Sequence, residues 1–311
     1  MDFASRSLHL MGSTICLSIY HERAEILLDE AVQLLHVYKN RFSANDEDSE
    51  LMTINHLAGM KSVSVHPELF ELIELGKYHS LAEGSHLNIT IGPLVQTWRI
   101  GFSDAHLPST EEIQQALSLT DPNLLELNPE DHSVFLAKKG MKLDLGALAK
   151  GYIADKIKDY FLSQGVTSAL INLGGNVLTI GNNAVSQRAW RIGIQNPKQP
   201  RGKHSAILAV TNQSVVTSGI YERTLTVEGR NYHHILDRKT GYPIENQLAS
   251  LTIVSDKSVN GEIWTTRLFG ESPTSILSQI EEQAGIEALI ITQDSQLFCS
   301  SGLLEQIIPA S

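Results

Sequence analysis

Cysteine and positive charge are both scarce in this sequence. The 311 residues include two cysteines, Cys16 and Cys299, which lie far apart in apolar segments. This argues against a disulfide framework and favours a reducing compartment. Lys and Arg total 24 against 35 Asp and Glu, for a net charge of −11. Because no run of basic residues occurs, we expect no nucleic-acid partner.

Long apolar runs are also missing. No stretch approaches the roughly 18 apolar residues that a membrane-spanning helix needs, so we expect no membrane insertion. The first twenty residues lack the basic segment followed by a continuous apolar segment that marks an export signal. The sequence therefore predicts a cytoplasmic protein. Its 42% apolar and 19% charged residues are typical of a chain with a sizeable folded core.

The hydrophobic pattern changes character along the chain. Helical spacing of apolar residues predicts helices at 22–42, 66–84, about 147–163, about 258–270 and about 273–284. Short apolar segments bounded by turn residues predict strands and hairpins at 9–20, 133–145 (turning at Lys139-Gly140), 168–173, 177–181, 190–195, 205–211, 214–219, 224–236 (turning at Glu228-Gly229), 248–255, 286–292 and 297–301. Because many strands follow one another directly, we expect an α+β fold with largely antiparallel sheets packed against helices. No long linker appears, and we expect one domain over residues 1–311, with two lobes.

The segment LDLGALAKGYIADKI (143–157) is an unusual way to begin a helix. A strand that ends at Leu145 and passes through glycine into a helix leaves backbone N–H groups free for an anion. Lys150 would add a point charge for a phosphate, and Asp144 would accept a hydrogen bond from a ligand hydroxyl or amine. The ordinary structural interpretation, a helix cap with a lysine reaching to solvent, fits this stretch alone somewhat better.

Three further stretches carry groups that suit a ligand or a metal. Gly174-Gly175 lies between two strands, where it forms either a tight turn or a close approach to a ligand. Glu262 and Thr266 share one helix face and offer oxygen ligands to Mg²⁺, although an exposed Glu and a Thr bonded to its own helix fit this stretch alone better. His233 and His234 point to opposite faces of a strand, and one of them could serve as a base or a polar anchor in a cleft, whereas most strand histidines are structural.

Taken in order, nine segments resemble the ApbE-type flavin transferases. They are MGS (11–13), DSELMTIN (48–55), LNITIGPLVQTW (87–98), DLGALAKGYIAD (144–155), ALINLGGN (169–176), WRIGIQNP (190–197), VVTSGIYER (215–223), HILDRKTGYPI (234–244) and GEIWTTRLFG (261–270). No single segment is specific, but the ordered set spans most of the chain. The resemblance implies an enzyme that binds FAD and Mg²⁺ and passes the FMN half to a Thr or Ser hydroxyl of an acceptor flavoprotein, releasing AMP.

The resemblance also implies a role for particular residues. His234 would help to activate the acceptor hydroxyl. The FAD-binding set would be Met11, Asn88, Asp144, Lys150, Gly174, Gly175 and Ile235. The Mg²⁺ ligands would be the Ala147 carbonyl with Glu262, Thr265 and Thr266.

Two departures from the family pattern bear on activity. The family usually has Asp where Glu262 stands, and the added methylene shifts the carboxylate by about 1 Å, a distance to which catalysis is sensitive. Asp is also common where Asn88 stands. Two alternatives therefore remain beside the transferase: a catalytically impaired FAD- or FMN-binding module, and a pyrophosphatase that converts FAD to FMN and AMP.

Overall fold

The structure is a computed structural model that describes residues 2–308, and it confirms the α+β class with antiparallel sheets. The central sheet has eight strands in the order β1-β2-β6-β7-β10-β13-β14-β15, and each neighbouring pair is antiparallel. Its strands are β1 (Asp2–Leu10), β2 (Ser13–His21), β6 (Ala169–Leu173), β7 (Asn176–Ile180), β10 (Ser214–Gly219), β13 (Leu248–Ser255), β14 (Ile286–Thr292) and β15 (Leu297–Cys299).

Three smaller sheets flank the central one within the described residues. They contain β3 (Val63–Ser64), β5 (Ser133–Leu136) and β4 (Leu125–Asn128); β16 (Ile307–Ile308), β9 (His204–Val210) and β8 (Trp190–Gln195); and the hairpin of β11 (Thr224–Val227) with β12 (Arg230–His233). The α-helices in this part of the chain are α1 (Ala24–Phe42), α2 (Glu50–His56), α3 (Pro67–Leu81), α4 (Gly92–Trp98), α5 (Thr110–Leu117), α6 (Ala149–Ser163), α7 (Ser258–Leu268) and α8 (Pro273–Glu281).

The central sheet is covered on both faces. On one face its apolar side chains join those of α1, α3, α6, α7 and α8 in the main hydrophobic core. On the other face, β10, β13 and β14 pack against β8 and β9 in a second core. Every residue of β13 is consequently buried, which explains why LASLTIVS lacks the alternation of a strand with one wet face.

Helices α6 and α7 cross at very short range. A Cβ added at Gly151 would lie 2.6 Å from the Ser258 carbonyl oxygen and 2.7 Å from Cγ of Glu262. On its other side α7 lies on β10, because a Cβ at Gly261 would lie 2.5 Å from Cγ2 of Val216. Glycine at these two helical positions lets α7 pack closely against both α6 and β10.

Two hairpin turns meet at one end of the central sheet. The β1–β2 turn is formed by Met11 (φ 52°) and Gly12 (φ 67°), and the β6–β7 turn by Gly174 (φ 67°) and Gly175 (φ 98°). Positive φ at both central residues is the pattern of a type I′ turn. The Gly174 N–H donates to the Thr14 carbonyl at 3.1 Å, which holds the turns side by side.

Several boundaries differ from those expected from the sequence. Residues 9–20 are not one strand, because Met11 and Gly12 break them into a hairpin. The segment after Lys139-Gly140 does not pair with β5, which instead pairs with β3 and β4; residues 141–145 run as a loop with a single bridge between Lys142 and Ile91. The residues before α6 are therefore not a strand, and α6 begins at Ala149.

Within residues 2–308, none of the helices combines the length and the apolar character that crossing a membrane requires.

The α6–α7 crossing can be tested with Gly151→Ala. Alanine favours a helix interior by about 1 kcal/mol over glycine. Here the new methyl would collide with backbone, so we expect the variant to be less stable by about 1–3 kcal/mol. The measurement is the free energy of unfolding in urea. Asp159→Ala, at an exposed position of the same helix, is the control and should leave stability unchanged or slightly higher. Equal or greater stability of Gly151→Ala would contradict the close crossing.

Candidate functional site

The loop before α6 presents Asp144 in a fixed position. The Asp144 N–H donates to the Ile89 carbonyl at 2.9 Å, and its Oδ1 accepts from the Gly146 N–H at 2.7 Å. Burial raises the pKa of the Asp144 carboxyl, while the Gly146 bond and the charge of Arg223 act in the opposite direction. Asp144 is thus a turn residue with an oxygen still available to a ligand, not the cap of α6.

The first turn of α6 offers both a carbonyl and a cation. The Ala147 carbonyl accepts no hydrogen bond from the residues that the structure describes. The N-cap, Leu148, provides no side-chain hydrogen bond to the first N–H groups of the helix. Lys150 follows as the second helical residue. Its positive charge contributes to the lowered pKa of His234 and partly offsets the rise that burial causes in the pKa of Glu262. Lys150 is therefore electrostatically coupled to Glu262 and His234, and the role of this helix start in ligand binding stays a prediction.

Glu262 on α7 is a buried carboxylate with a defined partner. It is 7% exposed, and its Oε1 accepts from Nδ2 of Asn176 at 2.9 Å. Ser258 Oγ donates to Oδ1 of the same Asn176 at 2.6 Å, which fixes the orientation of the amide. Burial raises the pKa of Glu262, and the Lys150 charge and the Asn176 bond oppose that rise.

Asp155 fixes the start of α7. Its Oδ1 accepts from the Ser258 N–H at 2.7 Å and its Oδ2 from the Val259 N–H at 2.9 Å. A carboxylate that accepts from two N–H groups at a helix N-terminus stabilises that end of the helix. Asp155 therefore connects α6 to α7 and sets the direction in which Glu262 projects.

The two threonines of α7 differ in their surroundings. Thr265 is fully buried, and its hydroxyl donates to the Glu262 carbonyl at 3.1 Å, as helical threonines commonly do. The hydroxyl of Thr266 is half-buried and makes no hydrogen bond within residues 2–308. Of the two, Thr266 has the more available oxygen for a metal, while a lone pair of Thr265 remains unused.

His234 lies at the open end of the β11–β12 hairpin. Its Nδ1 is buried and has no hydrogen-bond partner among the described residues. Burial, followed by the charge of Arg223, lowers the pKa of His234 to about 4. His233 is different, because its Nε2 contacts the Ile244 carbonyl at 2.9 Å and its Nδ1 accepts from the Ile235 N–H at 3.3 Å. Of the two histidines, His234 alone has a neutral ring nitrogen available for a proton.

The paired hairpin turns lie close to these groups. Met11 is a non-glycine residue with positive φ, a strained conformation that is often found at functional sites. Ser13 Oγ is buried without a partner, and a Cβ on Gly174 would lie 2.4 Å from it. Gly174 is thus required by packing, whereas Gly175 faces open space and could be approached by a ligand.

Asn88 and Ile235 are largely occupied by internal hydrogen bonds. The Asn88 amide accepts from the Thr90 N–H at 2.9 Å and donates to the Thr120 carbonyl at 2.7 Å. The Ile235 carbonyl accepts from the Ile244 N–H at 3.0 Å. Asn88 lines a cleft of about 620 Å³ together with Thr120 and Arg238. Any contact of Asn88 or Ile235 with a ligand would use a remaining lone pair or the apolar surface.

Several residues of this site have no individual signal in the sequence. Asn176, Asp155 and Arg223 lie inside quoted segments of the chain, yet none was expected to have a role. Arg223 is close to the β1–β2 turn, since its Nη2 lies 3.9 Å from the position of a Cβ on Gly12. The position of Asn176, directly after the Gly174-Gly175 turn, was the one feature that could have suggested a role for it. Asp155 is a carboxylate within a helix, and its position in the sequence suggests no role.

Comparison with known proteins places the chain in a family. Residues 11–290 match the ApbE family. A FAD:protein FMN transferase of Klebsiella pneumoniae (strain 342) is 42% identical over 297 residues, which cover 96% of this chain and 92% of that protein. A FAD:protein FMN transferase of Treponema pallidum (strain Nichols) is 33% identical over 319 residues, which cover 97% and 88%.

Solved structures agree with this placement. The flavinyl transferase ApbE of Pseudomonas stutzeri, in its apo form, superposes with a TM-score of 0.83 at 25% identity, covering 98% of this chain and 96% of that one. The ApbE protein of Thermotoga maritima, at 24% identity, shows the same fold with a TM-score of 0.89 over 97% and 98% of the two chains. The chain therefore belongs to the ApbE family of transferases.

Proposed function

We propose that this protein is a Mg²⁺-dependent FAD:protein FMN transferase that attaches FMN to a Thr or Ser hydroxyl of an acceptor flavoprotein and releases AMP. The observation that carries the proposal is Nδ1 of His234, which is neutral and has no hydrogen-bond partner among the described residues. The positive charge of Lys150 acts both on this ring and on the buried carboxylate of Glu262. The family relatives named above support it, because this chain spans about nine-tenths of their length.

The residues of α6 and α7 suit a hard divalent cation. The available donors are all oxygens: the Glu262 carboxylate, the Ala147 carbonyl and the hydroxyls of Thr265 and Thr266. No cluster of three His, Cys, Asp or Glu side chains that could hold a metal occurs in residues 2–308. Mg²⁺ does not need such a cluster, since it is commonly held by one or two carboxylates plus substrate phosphates. When bound, it would neutralise charge on the FAD pyrophosphate.

The remaining residues would bind FAD or accept a proton. Asp144 and Gly175 would contact FAD, and Lys150 would place a positive charge near its phosphates. His234 would accept the proton of the acceptor hydroxyl, which is possible because its ring is neutral at physiological pH. Phosphoryl transfer depends mainly on positioning and charge stabilisation, which this arrangement provides.

The location of the protein stays a prediction. We propose the cytoplasm, in agreement with the low cysteine content, and fractionation of the native cells would test it.

Replacing Glu262 tests the metal site. Glu262→Gln keeps the shape and the Asn176 contact but removes the charge, so we expect FMN transfer to fall about 100-fold or more and half-saturation with Mg²⁺ to move to higher concentration. Glu262→Asp keeps the charge and should retain measurable transfer. The assay is the gain of one FMN in the mass of an acceptor domain, with and without chelator. Chelator-insensitive transfer, or full activity of Glu262→Gln, would refute the metal role.

The pH dependence tests His234. A base with a pKa of about 4 is neutral above that value. We therefore expect the transfer rate to be flat between about pH 5 and pH 7 and to fall only as the pH drops towards 4, instead of near the ordinary histidine value of about 6.5. His234→Gln should lower the rate about 100-fold or more with FAD binding retained.

The neighbouring histidine supplies the control for this experiment. His233→Gln removes a ring whose two nitrogens have structural partners, so it should affect thermal stability more than the rate of transfer. Equal losses of rate in the two variants would argue against His234 as the base.

A further inference from the structure

Arg223 and His234 are cross-strand neighbours. Thr224 lies opposite His233 in the β11–β12 register. One step further, the His234 N–H donates to the Arg223 carbonyl at 3.3 Å. Residues directly opposite in an antiparallel pair project from the same face, with Cβ atoms about 5 Å apart. The guanidinium therefore shares the side of the hairpin from which His234 faces the site.

The charge of Arg223 is not used within the described part of the chain. Its guanidinium makes no hydrogen bond or ion pair among residues 2–308, whereas several other arginines, Arg99 and Arg201 among them, are paired. Arg99 binds Asp104, with Nε and Oδ2 3.0 Å apart, and Glu222, next to Arg223, binds Arg201 at 2.7 Å instead. An unpaired cation beside the proposed base is available for an anionic substrate.

The stem of Arg223 is held by a glycine. A Cβ on Gly101 would lie 2.8 Å from Cδ of Arg223, so a larger side chain there would displace the arginine. The stem thus lies across Gly101, and Nη2 reaches the Met11–Gly12 turn. Gly101 also has φ +93°, which favours glycine. Although Arg223 is exposed, its stem therefore packs against Gly101 and directs the guanidinium towards the Met11–Gly12 turn.

We propose that Arg223 binds the phosphoryl group that is transferred, as a further catalytic residue of the function proposed above, on which this inference rests. In the reaction, the acceptor oxygen forms a bond to the FMN phosphorus, and its proton goes to His234. The bond between that phosphorus and the bridging oxygen breaks, and its electron pair leaves with AMP. A guanidinium can bind two of the phosphoryl oxygens in a fixed plane while charge is redistributed.

A second effect of Arg223 follows from the same geometry. The charged and titratable groups that act on His234 are Arg223 and His233 from the hairpin and Lys150 from α6. Removal of the Arg223 charge should make protonation of His234 easier. The acid limb of the pH–rate profile should then move upwards, towards the ordinary histidine range.

The experiment compares Arg223→Gln, Arg223→Lys and Arg223→Ala in single-turnover transfer from FAD to an acceptor domain. We expect Arg223→Gln to lower the rate about 100-fold, with FAD affinity and acceptor KM little changed, and to shift the acid limb upwards. Arg223→Lys keeps the charge, so the acid limb of its pH–rate profile should stay at the wild-type position. Its transfer rate should fall by less than that of Arg223→Gln. Guanidinium ions, and not ammonium ions, should partly restore Arg223→Ala. Arg188→Gln, at an exposed arginine in the loop between β7 and β8, is the charge-matched control and should behave as the wild type.

Two results would overturn the inference while leaving the proposed function in place. The first is wild-type transfer by Arg223→Gln. The second is a loss that lies wholly in the acceptor KM, which would make Arg223 a contact for the acceptor protein. Absence of transfer by the wild type under the same conditions would instead overturn the proposed function, and this inference with it.

Discussion

The close packing of α6 on α7 is the contact on which the candidate site depends. Gly151 allows the Ser258 carbonyl and the Glu262 stem to approach to a distance that no other residue would permit. Asp155, one turn later on α6, binds the first N–H groups of α7 and fixes its direction. As a result, Lys150 at the start of one helix acts on the carboxylate that the other helix buries. Neither helix alone would form the site.

The electrostatics of the site follow from burial and not from a large excess of charge. The buried Glu262 is opposed by one lysine and one amide, and His234 is kept neutral by burial and by a nearby arginine. A buried carboxylate with so little compensation is costly, which is why its environment raises its pKa. A bound cation would remove this cost, and the anionic substrate would in turn satisfy Lys150 and Arg223. The charges of the site thus agree with the binding of metal and pyrophosphate that is proposed above.

The sequence predicted the fold class and most of the elements, because these depend on local periodicity and on residue type. It did not predict where Met11 and Gly12 break the first strand, since apolar residues such as Leu10 and Ile15 continue on both sides of the turn. The same limit explains residues 141–145, which look like a strand but have no edge to pair with. Roles that depend on long-range contacts, such as those of Asn176 and Arg223, could not be predicted, because the partner lies about 86 residues away or on another strand.

The presence of Glu262 where the family usually has Asp can be understood from the same contacts. A glutamate has one more rotatable bond, so it loses more side-chain entropy when its carboxylate is held in one place. The Asn176 amide opposes this loss by binding Oε1, and Ser258 holds the amide, itself bonded to Ser214 at 3.0 Å. Because this chain of hydrogen bonds is buried, it restricts the longer side chain. The carboxylate is thus held in place by its neighbours before any ligand binds, which agrees with the metal role proposed for Glu262.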